Sequence, residues 1–395
     1  MDNRAAPAVS KSPAFSKSSA AYQRVAIIVA DTGNLLRNRR ELITRIAADR
    51  HQVTALVPAI GRGDEELVTA LRRNAVFDLR TFGENASSHF MPSAGLEQTI
   101  AAQLAVLTPH VALISGSRVF GAAIRACRRQ KGIRVVGLVN RLDSILPPLG
   151  KKPNWLAIRQ LRQTLALTDA LVCHNRDDAQ ILDRLGVLPP DRPVGLVPGA
   201  GVDLDHYAAE PLPALGTGFT VVMISRFDRR AGVLEFCAAA DRVVAKSPNV
   251  RFVLAGLDSA GPDALSFDAV RRLSANVEVG GTLADVRTLI ASAHLYVQAT
   301  WGEGLPRTLL EAVSMGRPVI ATDTPGCRDA IDVRINGVLV PPRDADALAS
   351  TIESVLKRPD LMPAMARASR QKAVHRFDVR LVTAELRRVM GLARE

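Results

Sequence analysis

Short apolar runs, many of them rich in β-branched residues, alternate with helix-length segments along most of this chain. The first clear runs are VAIIVA (25–30), VTALV (53–57) and VALIS (111–115). Continuous apolar runs of this length are typical of strands that are buried on both faces, and parallel strands need long crossover connections. The alternation therefore predicts an α/β protein whose parallel sheets are covered by helices.

The predicted strands form two series that are separated by a segment dense in Pro and Gly, 198–218. The strands are predicted at 25–30, 53–57, 78–82, 111–115, 134–139, 170–174 and 194–197, and then at 219–225, 250–255, 277–279, 295–299, 318–322 and 337–340. A chain of 395 residues with 47% apolar content can form two cores. We therefore expect a disordered leader (1–23), an N-terminal domain (24–200), a linker (201–218), a C-terminal domain (219–375), and a C-terminal helix (376–395) that packs back toward the N-terminal domain.

Positive charge is concentrated in the first half of the chain. Residues 1–200 contain 27 Lys and Arg against 16 Asp and Glu, whereas residues 201–395 contain 24 against 23. The clusters RNRR (37–40) and RACRRQK (125–131) have few aromatic residues near them, which favours a phosphate-bearing or anionic lipid partner over nucleic acid. A solvated basic face is the alternative. No apolar run reaches the length of a membrane-spanning helix, so we expect a cytoplasmic protein that can contact the inner face of the plasma membrane.

Several common chemistries have no motif in this sequence. It contains no GxxxxGK[ST], GxGxxG, HExxH or GxSxG pattern, and its four Cys and seven His are scattered. We therefore expect neither a metal site nor a bound cofactor.

One dense block, TWGEGLPRTLLEAVSMGRPVIATDTPG (300–326), follows a predicted strand. Two of its glycines, Gly302 and Gly304, give the backbone conformational freedom. Pro306 suits the first turn of a helix, where backbone amides lack intrahelical partners. Such amides and the positive end of the helix dipole can bind a phosphate or diphosphate. Glu311, about two turns later, is too far away to cancel that potential and can accept hydrogen bonds from ribose hydroxyls.

With the sequence around it, the spacing Glu303, seven residues, Glu311 resembles the Glu-x7-Glu signature of the retaining family 4 glycosyltransferases. Their GT-B architecture implies two facing Rossmann-like domains with parallel sheets and a deep cleft between them. The resemblance is closest to the bacterial branch that builds exopolysaccharide, capsule or O-antigen units on a polyprenyl diphosphate. It extends over the segments 30–43, 171–207, 224–236, 303–312, 316–331 and 336–349.

The resemblance implies roles for residues of the second domain. Glu303 would lie beside the transferred sugar as a catalytic residue, and Glu311 would hold the donor's ribose. Arg226 matches the arginine that opens the family's phosphate loop and would act in catalysis. The backbone of the stretch that follows Glu303 would face the sugar hydroxyls and the diphosphate of the donor; this stretch comprises Gly304, Leu305, Pro306 and Arg307.

The sequence departs from the family at two places. Ala231 occupies the position where the family usually has a lysine, so Arg229 and Arg230 are the expected sources of charge for the diphosphate. In the first domain a turn is expected to approach the donor phosphate and the acceptor, and Asn140 or Arg141 replaces a histidine that many relatives have. The turn residues are Thr32, Gly33 and Asn34.

These observations predict a retaining glycosyltransferase that needs no metal. It would move a hexose or N-acetylhexosamine from a nucleoside diphosphate sugar, with UDP expected, to a polyprenyl-linked or other saccharide acceptor. Two alternatives stay open. One is a nucleotide-sugar epimerase or hydrolase of the same architecture, and the other is a catalytically silent scaffold of a polysaccharide assembly complex.

Overall fold

The computed structural model describes residues 22–61, 64–83, 94–139, 155–214, 218–259, 261–281, 283, 285–302 and 304–392. All but the last two residues of the predicted leader lie outside this set. The described chain divides into two compact units. The first takes the residues up to Cys173, Gln180–Val197 and the stretch from Thr383 onward, and the second takes His174–Ala179 and Pro198–Val382.

The first unit contains a seven-stranded parallel sheet with the order β3-β2-β1-β4-β5-β6-β7. Its strands are β1 (Arg24–Val29), β2 (Gln52–Val57), β3 (Asp78–Thr81), β4 (Val111–Ser115), β5 (Arg134–Val139), β6 (Ala170–Cys173) and β7 (Val194–Leu196). The helices between them are α1 (Thr32–Asn38), α2 (Arg40–Ala48), α3 (Asp64–Asn74), α4 (Ala94–Leu107), α5 (Phe120–Arg128), α6 (Trp155–Leu165) and α7 (Arg176–Arg184).

The second unit contains a six-stranded parallel sheet with the order β10-β9-β8-β11-β12-β13. Its strands are β8 (Phe219–Phe227), β9 (Val250–Asp258), β10 (Val277–Gly280), β11 (Leu295–Gln298), β12 (Val319–Thr322) and β13 (Gly337–Val340). The remaining helices are α8 (Val233–Lys246), α9 (Phe267–Arg271), α10 (Arg287–Ala291), α11 (Arg307–Ser314), α12 (Cys327–Ala330), α13 (Ala345–Leu356), α14 (Met362–Lys372) and α15 (Val379–Met390). The predicted α/β class and the two parallel-sheet, Rossmann-like domains are thus confirmed.

Both faces of the second sheet are covered, and β8 shows how. Val221 and Met223 belong to one hydrophobic cluster, whereas Val222 and Ile224 belong to another. Because successive side chains of a strand point to opposite faces, the two clusters are the layers above and below the sheet. An apolar run without polar alternation is what such a doubly covered strand requires.

Each sheet has one point at which the chain order reverses. In the first sheet it lies between the neighbours β1 and β4, and in the second between β8 and β11. Ligands of open α/β sheets bind outside the carboxyl ends of the strands at such points. In the second unit the segments that follow β8 and β11 run from 228 to 232 and from 299 to 306, and they include six of the nine site residues predicted for this unit.

Two local expectations were wrong. Thr32, Gly33 and Asn34 do not form a separate turn but begin helix α1, where the amide of Leu35 donates to the carbonyl of Asp31 at 3.3 Å. A helical backbone allows the Leu35 side chain to be buried, and this favours a helix over a turn. Strands β8 and β9 extend beyond their apolar cores, because their parallel pairing continues as far as Phe227 and Asp258.

Among the described residues, no helix has both the length and the apolar character that are needed to span a bilayer.

Candidate functional site

Helix α11 begins directly above the ends of two neighbouring strands. Pro306 caps it with extended backbone geometry (φ −66°, ψ 131°) and no side-chain hydrogen bond. The amides of the first turn therefore have no acceptor from the helix itself. The Thr308 hydroxyl lies 3.3 Å from the carbonyl oxygen of Ile224 on β8 and 3.3 Å from Oε1 of Gln298 on β11. These contacts hold the start of the helix at the point where the order of the sheet reverses.

The backbone of Gly304 and Leu305 is held from the neighbouring loop. Gly326, with φ +86°, follows β12, and a Cβ built there would lie 2.6 Å from the Gly304 carbonyl carbon and the Leu305 nitrogen. Glycine is therefore required for this close approach. Leu305 itself is buried and packs into the core, so only its backbone remains for a ligand.

Glu311 lies in the second turn of α11, and its side chain is only 5% exposed. Its Oε1 accepts a hydrogen bond from Arg307 Nε at 2.7 Å, one turn earlier on the same helix. The Tyr207 hydroxyl interacts with both of these side chains, and burial together with the Glu311 carboxylate raises the pKa of Tyr207. Burial acts to lower the pKa of Arg307, but the carboxylate outweighs it and raises that pKa. Glu311 is thus held in a closed cluster of three side chains.

The segment after β8 forms a short 3₁₀ turn over Arg229–Ala231. The Asp228 side chain caps it by accepting a hydrogen bond from the Arg230 amide at 2.7 Å. Gly232 follows with φ +83°, and a Cβ there would collide with the carbonyl oxygen of Ala299. The Arg230 carbonyl accepts a hydrogen bond from the Trp301 amide at 2.8 Å. The segments after β8 and β11 are therefore fixed to each other through their backbones.

The cationic side chains of this region differ in their exposure. Arg226 and Arg229 are exposed, and Arg230 is half-buried. Ala231 is 4% exposed and belongs to the core under the turn. The positive charge of this segment therefore comes from the three arginines, which lie at the carboxyl end of β8 beside the start of α11.

Trp301 packs the loop that precedes α11. Its indole nitrogen donates to Glu235 Oε1 at 2.9 Å, and the Arg343 guanidinium lies 4.3 Å from the ring centroid. The ring is thus engaged by two charged side chains of the second unit, which fixes the loop in front of the helix.

The remaining predicted site residues lie in the first unit or outside the described residues. Thr32 is buried, and its hydroxyl donates to the Ala59 carbonyl at 2.7 Å, while Gly33 follows it in α1. Asn34 lies in the same helix by its backbone. Glu303, Asn140 and Arg141 are not among the described residues.

The predicted basic clusters are only partly available at the surface. Arg39, inside the first cluster, is 2% exposed, so a role in surface contact is wrong for this residue. Arg125 and Arg129 both pair with Glu97, at 2.9 and 2.7 Å. Arg128 lies 2.8 Å from Asp169. Much of the charge in these clusters is therefore balanced within the first unit.

Sequence reasoning missed Tyr207 and Gly326. Tyr207 ends one of the segments that carry the family resemblance, but nothing in the spacing indicates that it contacts Glu311. Gly326 lies in the predicted block, yet only its positive φ and the closeness of Gly304 reveal why it is glycine.

Sequence models of two protein families match the chain. "Glycosyltransferase Family 4" matches residues 40–206, and "Glycosyl transferases group 1" matches residues 218–358. Among curated relatives, the phosphatidylinositol N-acetylglucosaminyltransferase gpi3 subunit of Schizosaccharomyces pombe is 28% identical over 50% of this chain and 42% of its own length. The N,N'-diacetylbacillosaminyl-diphospho-undecaprenol alpha-1,3-N-acetylgalactosaminyltransferase of Campylobacter jejuni is 28% identical over 39% of this chain and 40% of its own length. The match thus spans less than half of each of these relatives.

Solved structures agree with this assignment at the level of the fold. The crystal structure of Anabaena HepE in complex with UDP and glucose superimposes with a TM-score of 0.73 and 16% sequence identity, covering 94% of this chain and all of that one. The two family models together match most of the chain, residues 40–206 largely in the first unit and residues 218–358 in the second. The chain therefore belongs to the family 4, group 1 glycosyltransferases and has their GT-B fold.

Proposed function

We propose that this protein is a retaining glycosyltransferase of cell-surface polysaccharide synthesis. It transfers a hexose or N-acetylhexosamine from a nucleoside diphosphate sugar, with UDP as the nucleotide, to a polyprenyl-linked or other saccharide acceptor. The donor is held in the second unit, and the leaving diphosphate helps to deprotonate the incoming hydroxyl, so that no protein nucleophile is required.

One observation carries this proposal: the start of α11 offers backbone amides beside a buried carboxylate, Glu311, at the point where the sheet order reverses. Amides at a helix start suit a diphosphate, and a carboxylate suits the hydroxyls of a pentose. The exposed Arg226 and Arg229 at the end of β8 add the positive charge that a diphosphate leaving group needs. Anabaena HepE, which has the same fold, was solved with UDP and glucose.

The acceptor part of the proposal is supported by a relative. The C. jejuni enzyme acts, according to its name, on a diphospho-undecaprenol-linked sugar. Glu303 would lie beside the transferred sugar, and the start of α1 in the first unit, with Thr32 and Gly33, would approach the acceptor; Asn34 and Asn140 are assigned to the same part of the site.

The proposal is tested by incubating purified protein with a panel of UDP-sugars and polyprenyl-diphosphate saccharides. We expect UDP release that depends on the acceptor, and an NMR spectrum of the product that shows the donor's anomeric configuration. Because no metal is proposed, the rate is expected to survive EDTA. Absence of both UDP release and transfer across the panel would reject the function.

A second candidate is a catalytically silent scaffold, which is favoured by the burial of Ala231 where relatives usually have a lysine. A scaffold would bind nucleotide or polysaccharide-assembly partners but would not turn over any donor. An epimerase or hydrolase of this architecture would instead give product without an acceptor. The acceptor-dependence of UDP release separates these possibilities.

We also propose that the protein works in the cytoplasm, at the inner face of an anionic membrane, and contacts it through the first unit. Helix α6 offers the most suitable described surface, because Trp155 is 69% and Leu156 is 46% exposed at its start. Arg159 and Arg162 are exposed further along the same helix, and its sequence WLAIRQLRQTL contains no acidic residue. Exposed aromatic and apolar side chains beside cations are typical of helices that lie on an anionic lipid surface.

A further inference from the structure

Tyr207 is fixed against α11 by its backbone. Its carbonyl accepts hydrogen bonds from the Ser314 hydroxyl at 2.7 Å and from Arg370 Nη1 at 3.1 Å. Its amide donates to the Asp203 carbonyl at 2.8 Å. The side chain is 8% exposed and belongs to the core layer that also contains Leu310 of α11. The ring can therefore hold its hydroxyl at a constant place relative to Glu311.

The hydroxyl completes the cluster around that carboxylate. Arg307 donates to Glu311 Oε1 at 2.7 Å, and the Tyr207 hydroxyl interacts with both side chains. The raised pKa of Tyr207 keeps its proton in place at neutral pH, so toward a carboxylate it acts as a donor. A carboxylate has about four acceptor positions. Two donors from the protein fix its orientation and leave positions for the two adjacent hydroxyls of a ribose.

We propose that Tyr207 is a positioning residue of the donor site, which orients Glu311 together with Arg307 so that the protein selects ribonucleotide over deoxyribonucleotide donors. This inference rests on the proposed function, because it assigns Glu311 to the donor's ribose. Without the hydroxyl, Arg307 is the only partner left to Glu311 within the cluster. We expect the Glu311 carboxylate then to turn toward Arg307 and away from the orientation that suits the two ribose hydroxyls.

The first test compares the binding of UDP and 2′-deoxy-UDP by calorimetry. The unaltered protein is expected to bind UDP at least about tenfold more tightly, because the lost hydrogen bond is to a charged group. In Tyr207→Phe this ratio is expected to fall to about threefold or less, because UDP loses more affinity than 2′-deoxy-UDP, which offers Glu311 only the 3′-hydroxyl. With donor sugar, KM is expected to rise while kcat stays close to its original value.

The matched control is Tyr296→Phe. Tyr296 is also a buried tyrosine of the same core layer, and its hydroxyl lies 3.3 Å from the Ile224 carbonyl oxygen. The Glu311 carboxylate reaches Tyr296 only through its charge. This variant loses a comparable buried hydroxyl, so any loss that comes from stability alone appears in both variants. Its preference for UDP over 2′-deoxy-UDP is expected to equal that of the unaltered protein.

The second test needs no ligand. The melting temperatures of Tyr207→Phe, Glu311→Gln and the double variant form a cycle, and the two single losses are expected to exceed the double loss by about 2 °C or more, because the side chains interact. Additive losses would show that the hydroxyl does not orient the carboxylate, which overturns the inference.

The outcomes separate the two levels of the proposal. If the unaltered protein prefers UDP and Tyr207→Phe keeps the full preference, the role of Tyr207 is refuted while the donor site stands. If the unaltered protein binds neither nucleotide, the proposed function falls and the selectivity falls with it. The inference is supported if the preference for UDP over 2′-deoxy-UDP falls in Tyr207→Phe but not in Tyr296→Phe, and if the losses of melting temperature in Tyr207→Phe and Glu311→Gln are not additive.

Discussion

Ala231 ends the 3₁₀ turn that joins β8 to α8, and its methyl group packs into the core together with Val233 and Phe236. Position 231, where the family usually has a lysine, is therefore part of the hydrophobic core in this chain. Arg226 and Arg229 are exposed at the same end of the strand. At the scale of single residues, the exposed positive charge of this segment lies at the beginning of the turn, whereas the lysine that the family usually has would lie at its end.

Ala231→Lys tests whether the arginines suffice. We expect turnover to change less than about twofold, and the free energy of unfolding to fall by about 1–3 kcal/mol, because a longer side chain overpacks a buried position. Rates of UDP release and urea unfolding measure the two effects. Ala231→Leu is the control of similar size without charge; a large gain in rate that only the lysine gives would show that the site lacks a cation.

In the second unit, glycine allows the loop after β12 to lie close to the segment that precedes α11. Gly326 lies between β12 and α12 and contacts the backbone of Gly304 and Leu305, so that the loop after one strand supports the loop after its neighbour. Arg317 has a similar structural role deeper in the unit, where its guanidinium donates to the carbonyls of Ala293 and Pro211 at 3.1 Å. The Gly326 contact thus fixes the segment before α11, while Arg317 ties the segment after the end of α11 to neighbouring loops.

Gly326→Ala is expected to weaken both stability and UDP binding, because the new Cβ collides with the backbone that precedes α11. Gly132 is a matched control with the same φ of +86° and open space around a built Cβ. Both substitutions place alanine at positive φ, which costs at least about 1 kcal/mol. Chemical unfolding and calorimetry with UDP should show the larger loss of stability in Gly326→Ala, and a loss of binding there alone. Equal effects of the two variants would contradict this role of Gly326.

His294 connects the start of β8 to the start of β11. Its Nδ1 accepts a hydrogen bond from the Thr220 amide at 3.0 Å. Burial is the main cause that lowers the pKa of His294 from its ordinary 6.5; the charge of Arg317 lowers it further, and the nearby backbone of Ala214 and Pro213 acts to raise it. Just below pH 6.5 the folded state therefore binds fewer protons than the unfolded state. The contribution of neutral His294 to the free energy of unfolding is complete above that pH and is lost as the pH falls.

We expect His294→Asn, whose side-chain oxygen can still accept from Thr220, to reduce the dependence of the melting temperature on pH between about 7 and 5. Thermal unfolding at a series of pH values measures this, with His375→Asn as an exposed control. A pH profile that is unchanged in His294→Asn would mean that other groups cause the acid sensitivity.

Much at this scale could be predicted from the sequence. Apolar runs located most of the strands, because doubly covered strands leave a continuous signal, and the Pro306 block located the start of α11. Strand β3, with the sequence DLRT, has no such run. The contact of Tyr207 with Glu311 and the place of Arg39 in the core could not be predicted, since both depend on which distant segments meet after folding. The first turn of α1 was misjudged because glycine is also typical of turns, and burial of Leu35 outweighed it.

At the scale of the whole molecule, charge is unevenly distributed, and the proposed membrane contact follows from it. We expect the protein to float with vesicles that contain anionic lipid at low ionic strength and to be released at about 0.5 M salt, where screening extends over only a few ångströms. Arg159→Glu on α6 is expected to weaken flotation, while Arg129→Gln, whose charge is already paired with Glu97, serves as the control. Equal binding to neutral phosphatidylcholine vesicles would contradict an electrostatic contact.

The last described residues complete the first unit. Arg387 of α15 pairs with Asp49, and the Val389 carbonyl accepts a hydrogen bond from Arg134 Nη2 at 3.1 Å. A Cβ on Gly195 of β7 would lie 2.9 Å from the Val389 side chain, so this helix packs on one face of the last strand of the first sheet. During synthesis on a ribosome, the residues made first therefore cannot reach their final packing until Thr383–Met390 have emerged, and the second sheet has the opportunity to assemble before the first is finished.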